Sequence, residues 1–124
     1  MLGTTRKVRV LVHQQPTDMR KSFHTLAAVV VQQMRADVML GDLFLFVGRD
    51  RRRAKVLYFD GTGLCLFSKL LSQGRFQAPW EATGDVVMTQ SELALFLEGA
   101  QQMGRLSPPV INNDALHLKV EDFR

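Results

Sequence analysis

The sequence predicts an α+β domain: a mixed, mainly antiparallel sheet of five or six short strands, one long helix packed on it and a short second helix. Two observations indicate this class. Residues 43–71 contain three apolar runs separated by polar turns, which is typical of a strand meander. Before the meander apolar residues recur at helical spacing, and near residue 90 a capping sequence opens a second helix.

The first predicted elements are a strand over Val8–Val12 and a helix from about Met19 to Arg35. Thr17 and Asp18 are the candidate N-caps of this helix. We expect its apolar stripe to face the sheet, so that Phe23→Ala severely lowers stability. The stripe consists of Met19, Phe23, Leu26, Ala27, Val30 and Met34.

The central meander is predicted from strands at Leu43–Val47, Val56–Phe59 and Leu64–Phe67. The turn Asp60–Gly63 joins the last two strands, with glycines where a tight reversal needs positive φ. The first connection, residues 48–55, carries five cationic side chains and one acidic one. We therefore expect a β-hairpin whose tip projects as a cationic finger.

The chain after the meander contains fewer clear elements. Arg75–Trp80 is predicted to be a short extended piece and Asp85–Met88 one more strand. Thr89 and Glu92 have the spacing of a capping box and open a helix over 90–98, with Gly99 at its C-terminal cap.

The length of 124 residues and a hydrophobic content of 46% are enough for one core, and we expect residues 1–99 to form a single compact domain. Residues 100–124 are expected to be an extended or partly disordered tail, because Pro108 and Pro109 stop any helix. Alternation over Ala115–Val120 permits a late strand that adds to a sheet edge in this molecule or in a neighbour.

The charge distribution favours a polyanionic partner. The net charge is +4, but residues 1–80 hold 13 Lys and Arg against 5 Asp and Glu, whereas residues 81–124 hold 3 against 7. The basic part is also the part that contains the meander, so nucleic acid is the first expectation and an acidic membrane surface the second.

Catalysis and metal binding have little support in the sequence. The three histidines are scattered, and no pair of carboxylates has a spacing that guarantees convergence on a metal. The single cysteine, Cys65, lies in an apolar run and is expected to be a small buried hydrophobe rather than a reactive thiol. We therefore expect a protein that is not an enzyme and has no cofactor or metal, and that is cytoplasmic, because no signal peptide or membrane span is evident.

The arginine-rich connection is the strongest functional signal, because guanidinium groups match phosphate oxygens. The alternative is a solvated turn without a partner. The candidate nucleic-acid-binding residues are Arg49, Arg51, Arg52, Arg53 and Lys55, with Arg20, Lys21, Lys69 and Arg75 as secondary contacts.

Several independent motifs carry a family resemblance over about Val8 to Gly99. They are TDMRKSF at 17–23, GDLFLF at 41–46 with the basic residues after it, LYFDGTGLCLFSKL at 57–70, Gly74-Arg75-Phe76 with Pro79, and LALFLEG at 93–99. In these motifs the chain resembles the small accessory protein of insertion-sequence-66-type transposable elements, the product of the second open reading frame, often called TnpB. This family is unrelated to the RNA-guided nuclease of the same name. The chain departs from the resemblance at Leu70, where a second basic residue is expected, and in the long tail.

The resemblance implies participation in transposition beside a separate transposase that holds the catalytic carboxylates. The leading hypothesis is a non-catalytic DNA-binding accessory protein whose basic hairpin contacts phosphates at the element ends or the target. The alternative is an adaptor that docks on the transposase or another element-encoded protein without binding DNA. A homo-oligomer is compatible with both hypotheses, and no membrane partner is expected.

Overall fold

A computed structural model describes residues 7–99, in which five strands form one mixed sheet and two helices pack on it. The strand order is β4-β3-β2-β1-β5, with β1 parallel to β2 and every other neighbouring pair antiparallel. The predicted α+β class is confirmed. The elements are β1 (Val10–Val12), α1 (Phe23–Gln32), β2 (Leu43–Val47), β3 (Arg53–Phe59), β4 (Leu64–Leu70), β5 (Val87–Met88) and α2 (Gln90–Phe96).

The sheet has a hydrophobic core on each of its faces. On one face Phe44, Phe46 and Leu57 pack against α1. On the other face Leu45 and Val56 belong to the core that contains the buried side chains of α2. Because β2 is covered on both sides, all five of its residues are buried, which explains why its sequence lacks polar alternation.

Helix α1 is shorter than predicted, since it covers Phe23–Gln32 rather than the range from Met19 to Arg35. Tertiary pairing explains the late start: the Thr17 N–H donates to the Val47 carbonyl oxygen at 3.0 Å, which holds this segment extended beside the sheet. At the other end Arg35 has a φ of +55°, outside the helical region.

The predicted N-caps of α1 are wrong. Asp18 instead closes a local turn, in which its Oδ1 accepts from the Arg20 N–H at 2.9 Å. Ser22 is the N-cap, and its N–H donates to the Thr25 Oγ1 at 2.9 Å. The side chain of the third helical residue thus satisfies a backbone donor that the helix itself leaves unpaired.

The predicted apolar stripe of α1 is confirmed except at Phe23, since Met19, Ala27 and Met34 pack against the same core as the buried helix residues. Leu26, Val29 and Val30 are its buried residues, whereas the Phe23 side chain is 41% exposed. Phe23 is the first residue of α1 and follows the extended segment that pairs with the sheet. The expected severe cost of Phe23→Ala is therefore wrong, and Leu26, with no exposed surface, is where such a truncation removes core packing.

The predicted meander is present, but β3 begins at Arg53 rather than Val56. The connection between β2 and β3 is thus residues 48–52, and Lys55 lies within a strand. At the second turn the Asp60 carboxylate accepts from the Thr62 N–H at 2.8 Å and the Gly63 N–H at 3.0 Å. These bonds lower the pKa of Asp60 to about 2.

The chain returns to the sheet after the meander through a buried Phe76 and a 3-10 turn over Pro79–Glu81, where an extended piece was predicted. The capping box is confirmed, because the Thr89 Oγ1 accepts from the Glu92 N–H at 3.0 Å and Glu92 accepts from the Thr89 N–H at 2.8 Å. Gly99 follows α2 with a φ of +96°.

Among residues 7–99, no helix has both the length and the apolar character needed to cross a lipid bilayer. The tail over 100–124 and its predicted strand at Ala115–Val120 lie outside the described residues.

Candidate nucleic-acid interface

All nine candidate nucleic-acid-binding residues lie at one end of the sheet, which we call the basic end. Here β2 ends, β3 begins and β4 ends, and the bridge between Thr17 and Gly48 brings residues 17–21 beside the hairpin. The carboxylates at this end are those of Asp18, Asp50 and Glu98. The basic end consists of Arg20, Lys21, Arg49, Arg51, Arg52, Arg53, Lys55, Lys69 and Arg75.

The hairpin tip does not project as a free finger, because it packs against residues 71–76. The Arg51 Nε donates to the Phe76 carbonyl oxygen at 2.8 Å, and the Phe76 N–H donates back to the Arg51 carbonyl oxygen at 2.7 Å. This pair of bonds holds Arg51 at a φ of +61°, a left-handed conformation that few residues other than glycine adopt. The Arg52 Nη2 donates to the Leu71 carbonyl oxygen at 3.3 Å.

Lys55 joins the sheet to the segment that precedes α1. Its Nζ donates to the carbonyl oxygens of Met19 and Lys21, both at 2.8 Å. These carbonyls belong to a non-helical stretch and have no strand partner, so an ammonium with three donors suits them. Lys55 is thus a structural residue as well as a charge.

Lys69 has a similar structural role on the other face of the sheet. Its Nζ donates to the Leu97 carbonyl oxygen at 2.8 Å, and Leu97 is the C-cap of α2. A cation at a helix C-terminus satisfies an unpaired carbonyl and complements the negative end of the helix dipole. The Lys69 side chain therefore links the C-terminus of α2 to β4.

Apart from Arg20, which pairs with Asp18, the basic end contains two groups of four cations. The structural cations, Arg51, Arg52, Lys55 and Lys69, donate to backbone carbonyls. The open cations have side chains without a hydrogen bond or ion pair to any other residue between 7 and 99, and all but Lys21 are exposed. The open cations are Lys21, Arg49, Arg53 and Arg75.

A cleft of about 390 Å³ opens between the 18–20 segment and strands β3 and β4. Arg53 and Lys55 line it from the same face of β3, and Ser68 lies opposite Lys55 on β4. The cleft therefore presents guanidinium, ammonium and hydroxyl donors together. Its lining residues are Asp18, Met19, Arg20, Arg53, Lys55 and Ser68.

Asp18 is the one carboxylate among the lining residues, and Arg20 neutralises it. The Arg20 Nη2 lies 2.8 Å from Asp18 Oδ2, and Nε lies 3.0 Å from Oδ1. The side-chain hydrogen bond from Arg20 is the main cause that holds the pKa of Asp18 well below its usual range. Asp18 is thus ionised near neutral pH and is unsuited to general acid–base chemistry there.

Arg9 and Cys65 lie away from the basic end. The Arg9 guanidinium pairs with Asp42 at 2.8 Å where β1 and β2 begin. Cys65 is partly buried near the turn after β3; desolvation and then Asp60 raise the pKa of its thiol. Residues 7–99 contain no group of three or more His, Cys, Asp or Glu placed to hold a metal ion.

The sequence predicted neither the cleft nor the hydrogen bonds that the structural cations donate to backbone carbonyls. The alternation from Arg53 to Val56, with Ala54 and Val56 buried, was a signal that β3 begins earlier and carries Lys55 on one face. No local pattern placed Met19 and Ser68 in the cleft, because they meet only after α1 packs on the sheet.

Comparison with known proteins identifies the family. The family model described as "IS66 Orf2 like protein" matches residues 8–105. Two relatives come from Sinorhizobium fredii (strain NBRC 101917 / NGR234). Uncharacterized protein y4jC is 34% identical over 99 residues, which cover 80% of this chain and 85% of the relative. Uncharacterized protein y4hO is 37% identical over 99 residues, which cover 80% and 86%.

No solved structure matches the chain significantly. The family model covers the sheet, the two helices and the basic end described above. The protein therefore belongs to the IS66 Orf2-like family and has an accessory role associated with the transposition of insertion sequences.

Proposed function

We propose that the protein is a non-catalytic DNA-binding accessory factor of transposition, and that its basic end contacts the phosphate backbone. The observation that carries this proposal is the set of open cations. Lys21, Arg49, Arg53 and Arg75 lie at one end of the sheet, and their side chains make no hydrogen bond or ion pair with another residue between 7 and 99. Uncompensated guanidinium groups gathered in this way repel one another unless an anion lies between them.

The cleft supports contact with a strand backbone. The Arg53 side chain is exposed along the cleft. The Lys55 ammonium donates two of its three N–H groups to backbone carbonyls, so one N–H remains for a ligand. The Ser68 hydroxyl adds a neutral donor. Charged and hydroxyl donors of this kind position a protein on DNA without reading its sequence. Sequence preference therefore comes from a partner or from contacts in a groove.

The proposal excludes a catalytic role for the cleft. Asp18, its one carboxylate, is held by Arg20, and no lining residue is a cysteine, a histidine or a tyrosine. Chemistry on DNA is assigned to the separate transposase, and this chain supplies binding and positioning.

The test is DNA-binding affinity measured by fluorescence anisotropy across a salt series. The duplexes are one from the ends of the element and one of unrelated sequence. The test variant is Arg49→Gln/Arg53→Gln. A matched control, Lys7→Gln/Arg35→Gln, removes the same charge from the opposite end of the sheet. Structural cations are left intact, because their loss also perturbs the fold.

We expect wild type to bind with an affinity that falls steeply as salt rises. The test variant should lose affinity, and its slope of log K against log salt should be shallower by about 1.8, because two phosphate contacts are gone. The control should keep the wild-type slope. Equal losses in both variants would indicate a general charge effect and overturn the assignment. Failure of wild type to bind either duplex would favour the adaptor on the transposase.

A further inference from the structure

The two edges of the sheet are built differently. One edge strand, β5, has only two residues, Val87–Met88. The other, β4, has seven residues, Leu64–Leu70, and among residues 7–99 it pairs only with β3. A long open edge presents a row of unpaired backbone groups to other chains, whereas a very short edge does not. β4 is therefore the edge of the described sheet at which another strand can add.

The outward-facing groups of β4 follow from the hydrogen bonds at its two ends. The Asp60 N–H donates to the Gly63 carbonyl oxygen at 3.1 Å, and the Leu71 N–H donates to the Arg52 carbonyl oxygen at 2.9 Å. Bonded and non-bonded pairs alternate along an antiparallel ladder. Both ends give the same phase, in which the odd-numbered residues of β4 bond to β3. The outward N–H and C=O groups are those of Leu64, Leu66, Ser68 and Leu70.

β4 lacks the features that usually protect an edge. It contains no proline and no acidic residue, and its one cation, Lys69, is turned onto the face of the sheet to bond the Leu97 carbonyl. The outward backbone groups make no hydrogen bond with any other residue from 7 to 99. The Leu70 side chain is also 58% exposed. Edge strands normally carry charge, proline or a bulge to prevent pairing.

We propose that β4 pairs antiparallel with β4 of a second copy of this chain, about a two-fold axis at Phe67, so that two five-stranded sheets become one. Such an interface is isologous: each copy contributes the same surface. The inference rests on the described edge alone and stands whether or not the basic end binds DNA.

The proposed register is the one that pairs every outward backbone group of β4. With Phe67 opposite Phe67 of the second copy, Leu64 lies opposite Leu70 and Leu66 opposite Ser68, so all outward groups pair in about eight hydrogen bonds. The exposed Leu70 gains an apolar neighbour. Lys69 lies opposite Cys65 of the second copy, which avoids placing like charges opposite each other.

The first test measures the mass of the full-length chain in solution by analytical ultracentrifugation over a concentration series. We expect a dimer for wild type. Ser68→Pro removes one outward N–H and none of the bonds to β3, so it should shift the chain to a monomer with its circular dichroism spectrum retained. The matched control Ser68→Ala keeps that N–H and should stay dimeric.

The second test reads the register by oxidative cross-linking. In Cys65→Ser/Phe67→Cys the two engineered thiols should face each other in a non-hydrogen-bonded pair, with Cα atoms about 4.5 Å apart, which is within the range that a disulfide spans. Wild-type Cys65 is roughly 14 Å from its counterpart along the paired strands, so it should not cross-link. A melting curve checks that the double variant is folded.

The possible outcomes separate clearly. A dimer that Ser68→Pro dissociates and that cross-links at position 67 supports the proposal. Wild type that is monomeric at every concentration, or a dimer that Ser68→Pro leaves intact, would overturn it. Cross-linking through Cys65 and not through position 67 would overturn the register. A monomer that Ser68→Pro destabilises would assign the edge to the chain's own residues 100–124 and also overturn the proposal.

Discussion

Lys55 and Arg53 lie two residues apart on the same face of β3, and both line the cleft, yet the fold uses them differently. The Lys55 ammonium donates to the carbonyls of Met19 and Lys21, while the Arg53 guanidinium has no partner among residues 7–99. The same contrast separates the structural cations from the open cations across the whole basic end. A dense run of positive charge in a sequence therefore overstates the number of groups that are free to meet a ligand.

The largest expected effect comes from Lys55→Met, which keeps most of the side-chain stem and removes the ammonium. Two carbonyls lose a charged donor, so we expect a stability loss of about 2–3 kcal/mol. In a domain of this size such a loss lowers the melting temperature by on the order of 10 °C. Chemical denaturation and melting of the variant measure it.

Arg53→Met is the matched control for this change. It should alter stability by no more than about 0.5 kcal/mol, because an open surface side chain is removed, and should reduce DNA affinity instead. Two variants that lose the same stability would show that the division into structural and open cations has no energetic meaning.

A smaller effect on stability is expected from His13, a buried histidine that lies near the basic end. The side chain is 8% exposed, and its ring lies 5.8 Å from that of Phe46. Burial lowers the pKa of His13 below 6.5. As pH falls through that value the unfolded chain takes up the proton first, so stability declines below about pH 6.5 and is unaffected above it.

The measurement is the melting temperature between pH 7.5 and 5.5 for wild type and His13→Gln. The wild-type melting temperature should fall more steeply with decreasing pH, because the variant lacks the titrating imidazole. Parallel curves would mean that the imidazole gains its proton equally well in the folded chain.

The elements with strong local signals were predictable from the sequence. The meander has three apolar runs and glycine-containing turns, and the capping box at Thr89 and Glu92 fixes the start of α2 to the residue. The position of Arg49, Arg51, Arg52 and Arg53 at one end of the sheet also follows from the β2–β3 hairpin. In each case residues close in the sequence determine the geometry.

The remaining features depend on contacts between distant segments. Thr17 stays extended because it pairs beside Gly48, so the apolar spacing that begins at Met19 does not start a helix there. Phe23 fits the spacing of the helical stripe, but it is the first residue of α1 and its side chain is exposed. The partners of Lys55 lie 36 and 34 residues away, and no local pattern encodes them.

The order of strands in the sheet also has a kinetic consequence. β2, β3 and β4 are neighbours in both chain and sheet, whereas β1 must pair with β5 from the other end of the described chain. Short loops close with less entropy loss than long ones. In pulse-labelled hydrogen exchange during refolding, we expect amides of the meander to gain protection before those that join β1 to β5. Simultaneous protection would indicate that the sheet forms in one step, with the long-range pair already in place.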